Sequence, residues 1–123
     1  EPMIRGDRSW AAGGDAPAMP PEAIWMGDFN FQPDSAEYHA IVDPENPLYD
    51  TTPDANQLVD CWTAAGHARD ERISFPSNEE SSGDKHLDYC FASASLAERV
   101  RGSHIDMDAA GSDHQPVWVE IDL

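Results

Sequence analysis

The sequence has few basic residues: seven Lys and Arg stand against 24 Asp and Glu among 123 residues, which gives a formal net charge of -17. A chain of this charge repels a phosphate backbone, and no basic run provides the groove that a nucleic-acid polymer requires. The shortage of basic residues therefore disfavours a polymeric nucleic-acid partner. Acidic side chains can instead converge on a hard divalent cation, which in turn neutralises a phosphate.

Cysteines and long apolar segments are also scarce. The two cysteines, Cys61 and Cys90, form neither a disulfide framework nor a zinc-binding spacing, so we predict that they are small core residues. That prediction favours a reducing compartment such as the cytoplasm unless the fold brings the two cysteines together, and it leaves the compartment and their disulfide state open. No apolar stretch approaches the roughly 20 residues that span a bilayer, and no charged segment followed by an apolar one opens the chain. We therefore expect no transmembrane segment.

The remaining composition is that of one globular domain. Apolar residues make up 40% of the chain and include four Trp, and this length is enough for a single core but too short for two. Residues 1–22 mix Gly, Ala, Pro and Asp and are predicted to form an N-terminal loop or arm. Residues 23–123 are predicted to be the folded part.

The first elements of the folded part are indicated by apolar runs and capping residues. A short continuous apolar run at 23–26 ends at Gly27, which is typical of a strand buried on both faces. Ser35 is a favourable N-cap for a helix over residues 36–42. Residues 43–56 contain three Pro and several turn formers, and they are predicted to form a long surface loop.

A second helix is predicted within residues 55–66, around Leu58, Val59 and Trp62, with Gly66 as its stop. Alternation in the strand predicted at 86–93 indicates that one face is buried. Further short strands are predicted at 73–75, 99–107 and 116–123. The order of strand, two helices and several strands indicates an α+β fold or mixed α/β layers.

Three segments place acid, amide or imidazole groups where a strand gives way to a loop. They are Gly27-Asp28-Phe29-Asn30, Leu87-Asp88-Tyr89 and Gly111-Ser112-Asp113-His114-Gln115-Pro116. Any one of them alone is better explained as an ordinary turn or structural acceptor. Their occurrence together, in this order, indicates a functional site, because sites are often built at strand ends.

Taken together, Gly-Asp-Phe-Asn, Leu-Asp-Tyr-Cys-Phe and Ser-Asp-His-Gln-Pro resemble the C-terminal half of the endonuclease/exonuclease/phosphatase superfamily. The resemblance covers residues 23–123 by motif order, and the stretch from Ile73 to Ser77 is similar to one that members often place between the first two motifs. It implies half of a two-sheet α/β sandwich, with the site at one edge of the sheets. It also implies metal-dependent hydrolysis of phosphoester or phosphodiester bonds.

The resemblance implies a role for each site residue. Asp28 would align or deprotonate the attacking water and share the metal with Asp113, and Asn30 would donate its amide to a phosphate oxygen. His114 would contact the scissile phosphate, while Asp88 would hold its second ring nitrogen within ~2.6 to 3.2 Å. Mg²⁺ or Mn²⁺ is the implied cofactor, and the identity of the general base is left open.

The expected substrate is a phosphoester, and the net charge favours a small molecule or headgroup over a nucleic-acid polymer. Family members carry a metal-binding Glu and further site residues in their first half, and no credible counterpart stands before Asp28. We therefore expect the chain to be a fragment with an incomplete site, which pairs with a missing N-terminal half or self-associates. Its uncovered apolar face is expected to include Leu87, Tyr89, Phe91, Val117, Val119 and Ile121.

Two other classes remain open. A non-catalytic binding or assembly module derived from the same fold would also explain the length and the missing ligand. A metalloenzyme of unrelated chemistry would be indicated if the five residues Asp28, Asn30, Asp88, Asp113 and His114 did not converge.

Overall fold

A computed structural model describes residues 20–42, 57–78 and 83–123, and every structural statement below concerns these residues. The predicted loop at 43–56 and most of the predicted arm at 1–22 lie outside them. The elements, in chain order, are β1 (Ile24–Asp28), α1 (Ala36–Val42), β2 (Leu58–Asp60), α2 (Cys61–Ala64), β3 (Asp88–Ser93), a 3-10 helix (Ala94–Arg99), β4 (Val100–Ile105) and β5 (Val117–Ile121).

The strands form two antiparallel sheets. The first has the order β1-β3-β2, so β3 is its central strand, and the second is the pair β4-β5. The combination of helices with two antiparallel sheets confirms the predicted α+β fold. None of the helices in the described ranges is long and apolar enough to cross a membrane.

The first core cluster lies between α1 and the three-stranded sheet. It consists of Tyr38, Ile41, Leu58, Tyr89 and Phe91. The helix begins where Ser35 predicted it, because Ser35 Oγ accepts a hydrogen bond from Tyr38 N (3.1 Å). That cap satisfies one of the free N–H groups at the helix start and orients the apolar side of α1 towards the sheet.

The second core cluster lies between the two sheets. It consists of Cys61, Cys90, Ala92, Leu96 and Val100, with Val119 and Ile121 packed against it. Alternation along β3 explains both clusters, since Tyr89 and Phe91 face α1 while Cys90 and Ala92 face the second sheet. The prediction of a half-buried β3 was therefore wrong, because a central strand between two layers is covered on both faces.

The expected uncovered apolar face was also partly wrong. Tyr89 and Phe91 are 2% and 0% exposed, because α1 covers them. The large exposed apolar side chains lie elsewhere in the described chain and include Ile24, Trp25, Met26 and Trp118.

Strand β1 differs most from its prediction. All five of its residues are exposed, with Met26 at 67%. The apolar run was expected to be buried on both faces, but within the described chain β1 pairs with β3 alone and is an edge strand. The apolar composition of β1 is typical of a strand that is buried on both faces, but its position at the edge of the sheet leaves it exposed to solvent.

The predicted second helix is reduced to one turn. Leu58 and Val59 belong to β2, which pairs with β3, and only Cys61–Ala64 is helical. The apolar spacing fitted both structures, and pairing with β3 decided between them. Asp60 is both the last residue of β2 and the N-cap of α2, because its side chain accepts a hydrogen bond from Trp62 N.

Asp60 is also the centre of a buried ion pair. Arg72 donates to both carboxylate oxygens of Asp60, and Tyr38 donates its hydroxyl to one of them at 2.8 Å. The side chains of Arg72 and Asp60 are 2% and 1% exposed. The Arg72 guanidinium also lies 4.8 Å from the centre of the Tyr89 ring. This network ties α1, β2, β3 and the segment after α2 together.

Candidate active site

Two of the predicted site residues face each other across a pair of strands. Asp28 is the last residue of β1, Asp88 is the first residue of β3, and the antiparallel register pairs them directly. Directly opposed residues project to the same face, with their Cβ atoms about 4.5–5.5 Å apart. Two carboxylates at this spacing repel each other, so the strand ends favour a positively charged group between them.

His114 supplies such a group from the loop between β4 and β5. Its Nδ1 lies 2.7 Å from Asp88 Oδ2, and its Nε2 lies 3.8 Å from Asp28 Oδ2. The predicted hydrogen-bonding distance between Asp88 and His114 is thus confirmed. Asp88 and His114, which are 26 positions apart in the sequence, thus form one pair, and Asp28 lies beside the imidazole.

The surroundings favour the charged form of His114. Its hydrogen bond to Asp88 raises the pKa of the imidazole, partial burial opposes that change, and the charges of Asp88, Asp28 and Asp113 raise the pKa further. The ring is therefore an imidazolium over a wider pH range than a free histidine. Its Nδ1–H points to Asp88, which leaves Nε2–H on the side of Asp28.

The His114 loop is held by contacts on both sides of the histidine. Before it, Ser112 Oγ accepts a hydrogen bond from His114 N at 3.1 Å, and after it Gln115 N donates to Ser74 O at 2.7 Å. The Phe75 ring packs against the imidazole, with 4.9 Å between the ring centres. These contacts restrict the loop to the position in which His114 reaches Asp88.

The turn after β1 orients Asp28. Asn30 N donates to Asp28 Oδ1 at 2.9 Å, so the other carboxylate oxygen is left facing His114. Asn30 has a φ of 55° and Gly27 a φ of 147°. Asn tolerates the left-handed conformation because its side chain is short, and Gly does so because it has no Cβ. The sequence Gly-Asp-x-Asn is therefore what this turn requires.

Three of the side chains could contribute ligand atoms to a metal ion. Within the described parts of the chain, one group of such residues has ligand atoms that all lie within 4.8 Å of one another, and it comprises Asp28, Asp88 and His114. The carboxylates suit Mg²⁺ or Mn²⁺, which prefer oxygen ligands. His114 suits them less well, because its Nδ1 is hydrogen-bonded and its raised pKa favours protonation.

The predicted site residues converge unequally. Asp28, Asp88 and His114 meet directly, whereas Asn30 joins them through the backbone turn. Asp113 is exposed and influences His114 through its charge, but it is outside the ligand group formed by the described residues.

Sequence reasoning missed two residues at the site. Ser74 and Phe75 were assigned to a short strand, of which the structure retains a bridge between Phe75 and Lys85. The available signal was the stretch from Ile73 to Ser77, whose resemblance to the family was noted but not linked to His114. An apolar side chain that packs on an imidazole carries no motif of its own, so only the structure reveals it.

An apolar cleft of about 440 Å³ opens beside the site. Asp88 lies at its lining together with Met26 of β1, Pro116, and Val117 and Trp118 of β5. Met26 and Trp118 are among the most exposed apolar side chains in the described chain. The cleft and β1 thus form one continuous apolar surface next to the carboxylates.

Comparison with protein families gives one match. The family described as "Endonuclease/Exonuclease/phosphatase family" matches residues 4–114. Comparison with curated proteins and with solved structures gives no significant match.

Proposed function

The chain belongs to the endonuclease/exonuclease/phosphatase family, whose match covers residues 4–114 of 123, and we propose that it contributes the second half of a metal-dependent phosphoesterase site. Members of this family are hydrolases in general. The proposal adds the bond and the cofactor: a phosphoester or phosphodiester bond, cleaved with the help of Mg²⁺ or Mn²⁺.

One observation carries the proposal. Asp28 and Asp88 face each other at the ends of two paired strands, and His114 lies between them in contact with Asp88. Hydrolysis of a phosphoester requires an oriented water, a proton donor or acceptor, and positive charge near the phosphoryl oxygens. The three side chains are of the types that can meet these requirements, and their ligand atoms lie within 4.8 Å of one another.

We assign the roles as follows. His114, oriented by Asp88 and favoured in its charged form, donates Nε2–H towards a phosphoryl oxygen and offsets the charge that develops there. Asp28 accepts a hydrogen bond from the attacking water through the carboxylate oxygen that the Asn30 turn leaves free. Asn30 donates its side-chain amide to a second phosphate oxygen.

The cofactor in this proposal is Mg²⁺ or Mn²⁺, which Asp28 would hold. Asp113, the second ligand that the family resemblance implies, lies outside the ligand group of the described residues and would have to move to reach the ion. When bound, the ion would neutralise phosphoryl oxygens and polarise the bond to phosphorus. The density of carboxylates at the site fits a hard dication, and the charge of Asp88 is already balanced by His114. A substrate carrying one phosphate on a small molecule or headgroup suits a chain of net charge -17 better than a nucleic-acid polymer does.

We further propose that the isolated chain holds only part of the site. The family pattern includes a metal-binding Glu that has no counterpart among the residues before Asp28. The apolar surface formed by β1 and the adjoining cleft would then be covered by the missing half of the fold or by a second copy of the chain. Exposed Trp25, Met26 and Trp118 support this, because apolar patches of this kind usually mark an interface.

The proposed activity is tested with the whole protein that carries these residues. Hydrolysis of bis(p-nitrophenyl) phosphate, p-nitrophenyl phosphate and duplex DNA is measured with Mg²⁺, with Mn²⁺ and with excess chelator. We expect metal-dependent hydrolysis of the small esters, and a loss of about 100-fold or more in His114→Ala, as for the removal of a general acid or base.

A matched control is available in His104, an exposed histidine on β4 outside the ligand group. His104→Ala should keep the full rate. Equal losses in the two variants would contradict the assigned role of His114. Binding of inorganic phosphate by the whole protein without any metal-dependent hydrolysis would instead favour the non-catalytic binding module.

A further inference from the structure

Ser74 connects the two segments that carry the Asp88–His114 pair. It is fully buried at 0% exposure, although its side chain is polar. Its Oγ accepts hydrogen bonds from Leu87 N at 3.0 Å and from Asp88 N at 3.1 Å. Its carbonyl oxygen accepts a hydrogen bond from Gln115 N at 2.7 Å. One residue therefore contacts the backbone of Asp88 and the backbone next to His114.

Strand pairing fixes one of the two positions and leaves the other open. Asp88, the first residue of β3, is paired with Asp28 of β1, and the preceding Leu87 O accepts a hydrogen bond from Phe29 N at 2.8 Å. His114 lies in a loop between β4 and β5 that contains no helix or strand. The pairing of β1 with β3 holds Asp88 but does not include the His114 loop, so the 2.7 Å hydrogen bond between the two side chains also depends on contacts that join the two backbones.

Ser74 is itself held in place. Its N–H donates to Lys85 O at 3.1 Å, and the neighbouring Phe75 forms a two-way bridge with Lys85 through Phe75 N and Phe75 O. The Phe75 ring rests on the His114 imidazole from the same segment. The segment around Ser74 thus supports the pair through the backbone on one side and through ring packing on the other.

We propose that Ser74 is a positioning residue for the active site: its hydroxyl and carbonyl oxygens set the distance between Asp88 and His114. The catalytic meaning of this inference rests on the proposed function. The geometric part does not, because the hydrogen bond between Asp88 and His114 can be observed without metal or substrate.

The test compares two buried serines, one that contacts the first residue of β3 and one that is its last residue. Ser74→Ala removes the hydroxyl beside Asp88. Ser93→Ala removes a hydroxyl that is 1% exposed at the far end of β3 and accepts a hydrogen bond from Ala23 N at 2.7 Å. Both variants lose one buried hydroxyl that accepts from the backbone, from two N–H groups at Ser74 and from one at Ser93, but only Ser74 lies next to the Asp88–His114 pair.

The measured signal is the downfield NMR resonance of the His114 Nδ1 proton, assigned by its absence in Asp88→Asn. We expect this resonance to be retained in Ser93→Ala and lost in Ser74→Ala through faster exchange with water. Ser74→Thr, which keeps the hydroxyl, should restore it. In the whole protein, Ser74→Ala should lower kcat with little change in KM.

A folded Ser74→Ala chain with an unchanged His114 resonance would overturn the proposal. If Ser74→Ala does not fold, amide hydrogen exchange of the unmodified chain decides: Asp88 N–H and Gln115 N–H must be protected, and exchange at the rate of an unstructured peptide would refute their anchoring by Ser74. Absence of hydrolysis in the whole protein, with the NMR result as expected, would refute the proposed function and leave the positioning role intact.

Discussion

Replacement of Arg72 by Met removes the positive charge that faces the buried carboxylate of Asp60. Met keeps most of the aliphatic volume, so the main effect is to leave a carboxylate with 1% side-chain exposure whose remaining hydrogen-bond donors, among the described residues, are the Tyr38 hydroxyl and the Trp62 N–H. Removing one partner of a buried ion pair typically destabilises a protein by about 3–5 kcal/mol. A domain of ordinary stability has only about 5–15 kcal/mol to lose.

Urea unfolding followed by tryptophan fluorescence measures this loss in the free energy of unfolding. An unchanged m-value, which is the slope of that free energy against the urea concentration, indicates that the transitions of the two proteins are comparable. The matched control is Arg101→Met, which breaks an exposed ion pair with Asp122 whose side chains are 56% and 67% exposed. Exposed pairs contribute about 0–1 kcal/mol, so the control should remain close to the wild type.

A double variant separates charge from packing. Asp60→Asn combined with Arg72→Met should be less destabilised than the sum of the two single variants, because no unpaired charge is left in the core. If Arg72→Met loses less than about 1 kcal/mol and matches Arg101→Met, the pair does not hold the fold together as the buried geometry implies.

Three further predictions concern the pKa of His114, the activity of the isolated chain and the reactivity of the two cysteines. Asp88→Asn should lower the pKa of His114 in an NMR titration, because the hydrogen bond to Asp88 is the main cause of the raised value. Because the folded-state pKa of His114 is raised, its interaction with Asp88 stabilises the fold fully at pH values below the unfolded-state pKa of about 6.5. This stabilisation is lost as the pH rises through the folded-state pKa. The stabilities of the wild type and the variant should therefore converge at alkaline pH. The 123 residues alone should not turn over model phosphodiesters with Mg²⁺ or Mn²⁺; turnover that His114→Ala abolishes would contradict the incomplete site. Cys61 and Cys90, at 0% and 5% exposure, should react with a thiol reagent only on unfolding, and rapid labelling of the native chain would disprove their burial.

Much of the local structure was predictable because the relevant signals are local. The Ser35 cap lies next to the helix that it starts, and helix α1 has the predicted bounds. The strands at 100–105 and 117–121 lie within the predicted ranges. Capping residues, apolar spacing and alternation all indicated the same elements, so these elements could be predicted without any tertiary contact.

The errors arose where tertiary contacts decided the outcome. Leu58 and Val59 have a spacing that suits a helix or a strand, and pairing with β3 selected the strand. Burial of Tyr89 depends on α1, which lies far from it in the sequence. The convergence of Asp28, Asp88 and His114 was expected from the family that the three motifs resemble. Ser74, which contacts the backbone of Asp88 and of Gln115, had no sequence signal strong enough to detect.

Paramagnetic broadening by Mn²⁺ tests whether the three segments around Asp28, Asp88 and His114 form the divalent-metal and phosphate site that we propose. Mn²⁺ is titrated into the ¹⁵N-labelled chain in the presence of inorganic phosphate, and Asp28→Asn is compared with the wild type. We expect the amide signals of residues 27–30, of Asp88 and of residues 112–114 to disappear first, and Asp28→Asn to require more Mn²⁺ for the same effect. Broadening that begins equally at other acidic positions, such as Asp106 or Asp122, and is unchanged in Asp28→Asn would show that the three segments do not bind the ion together.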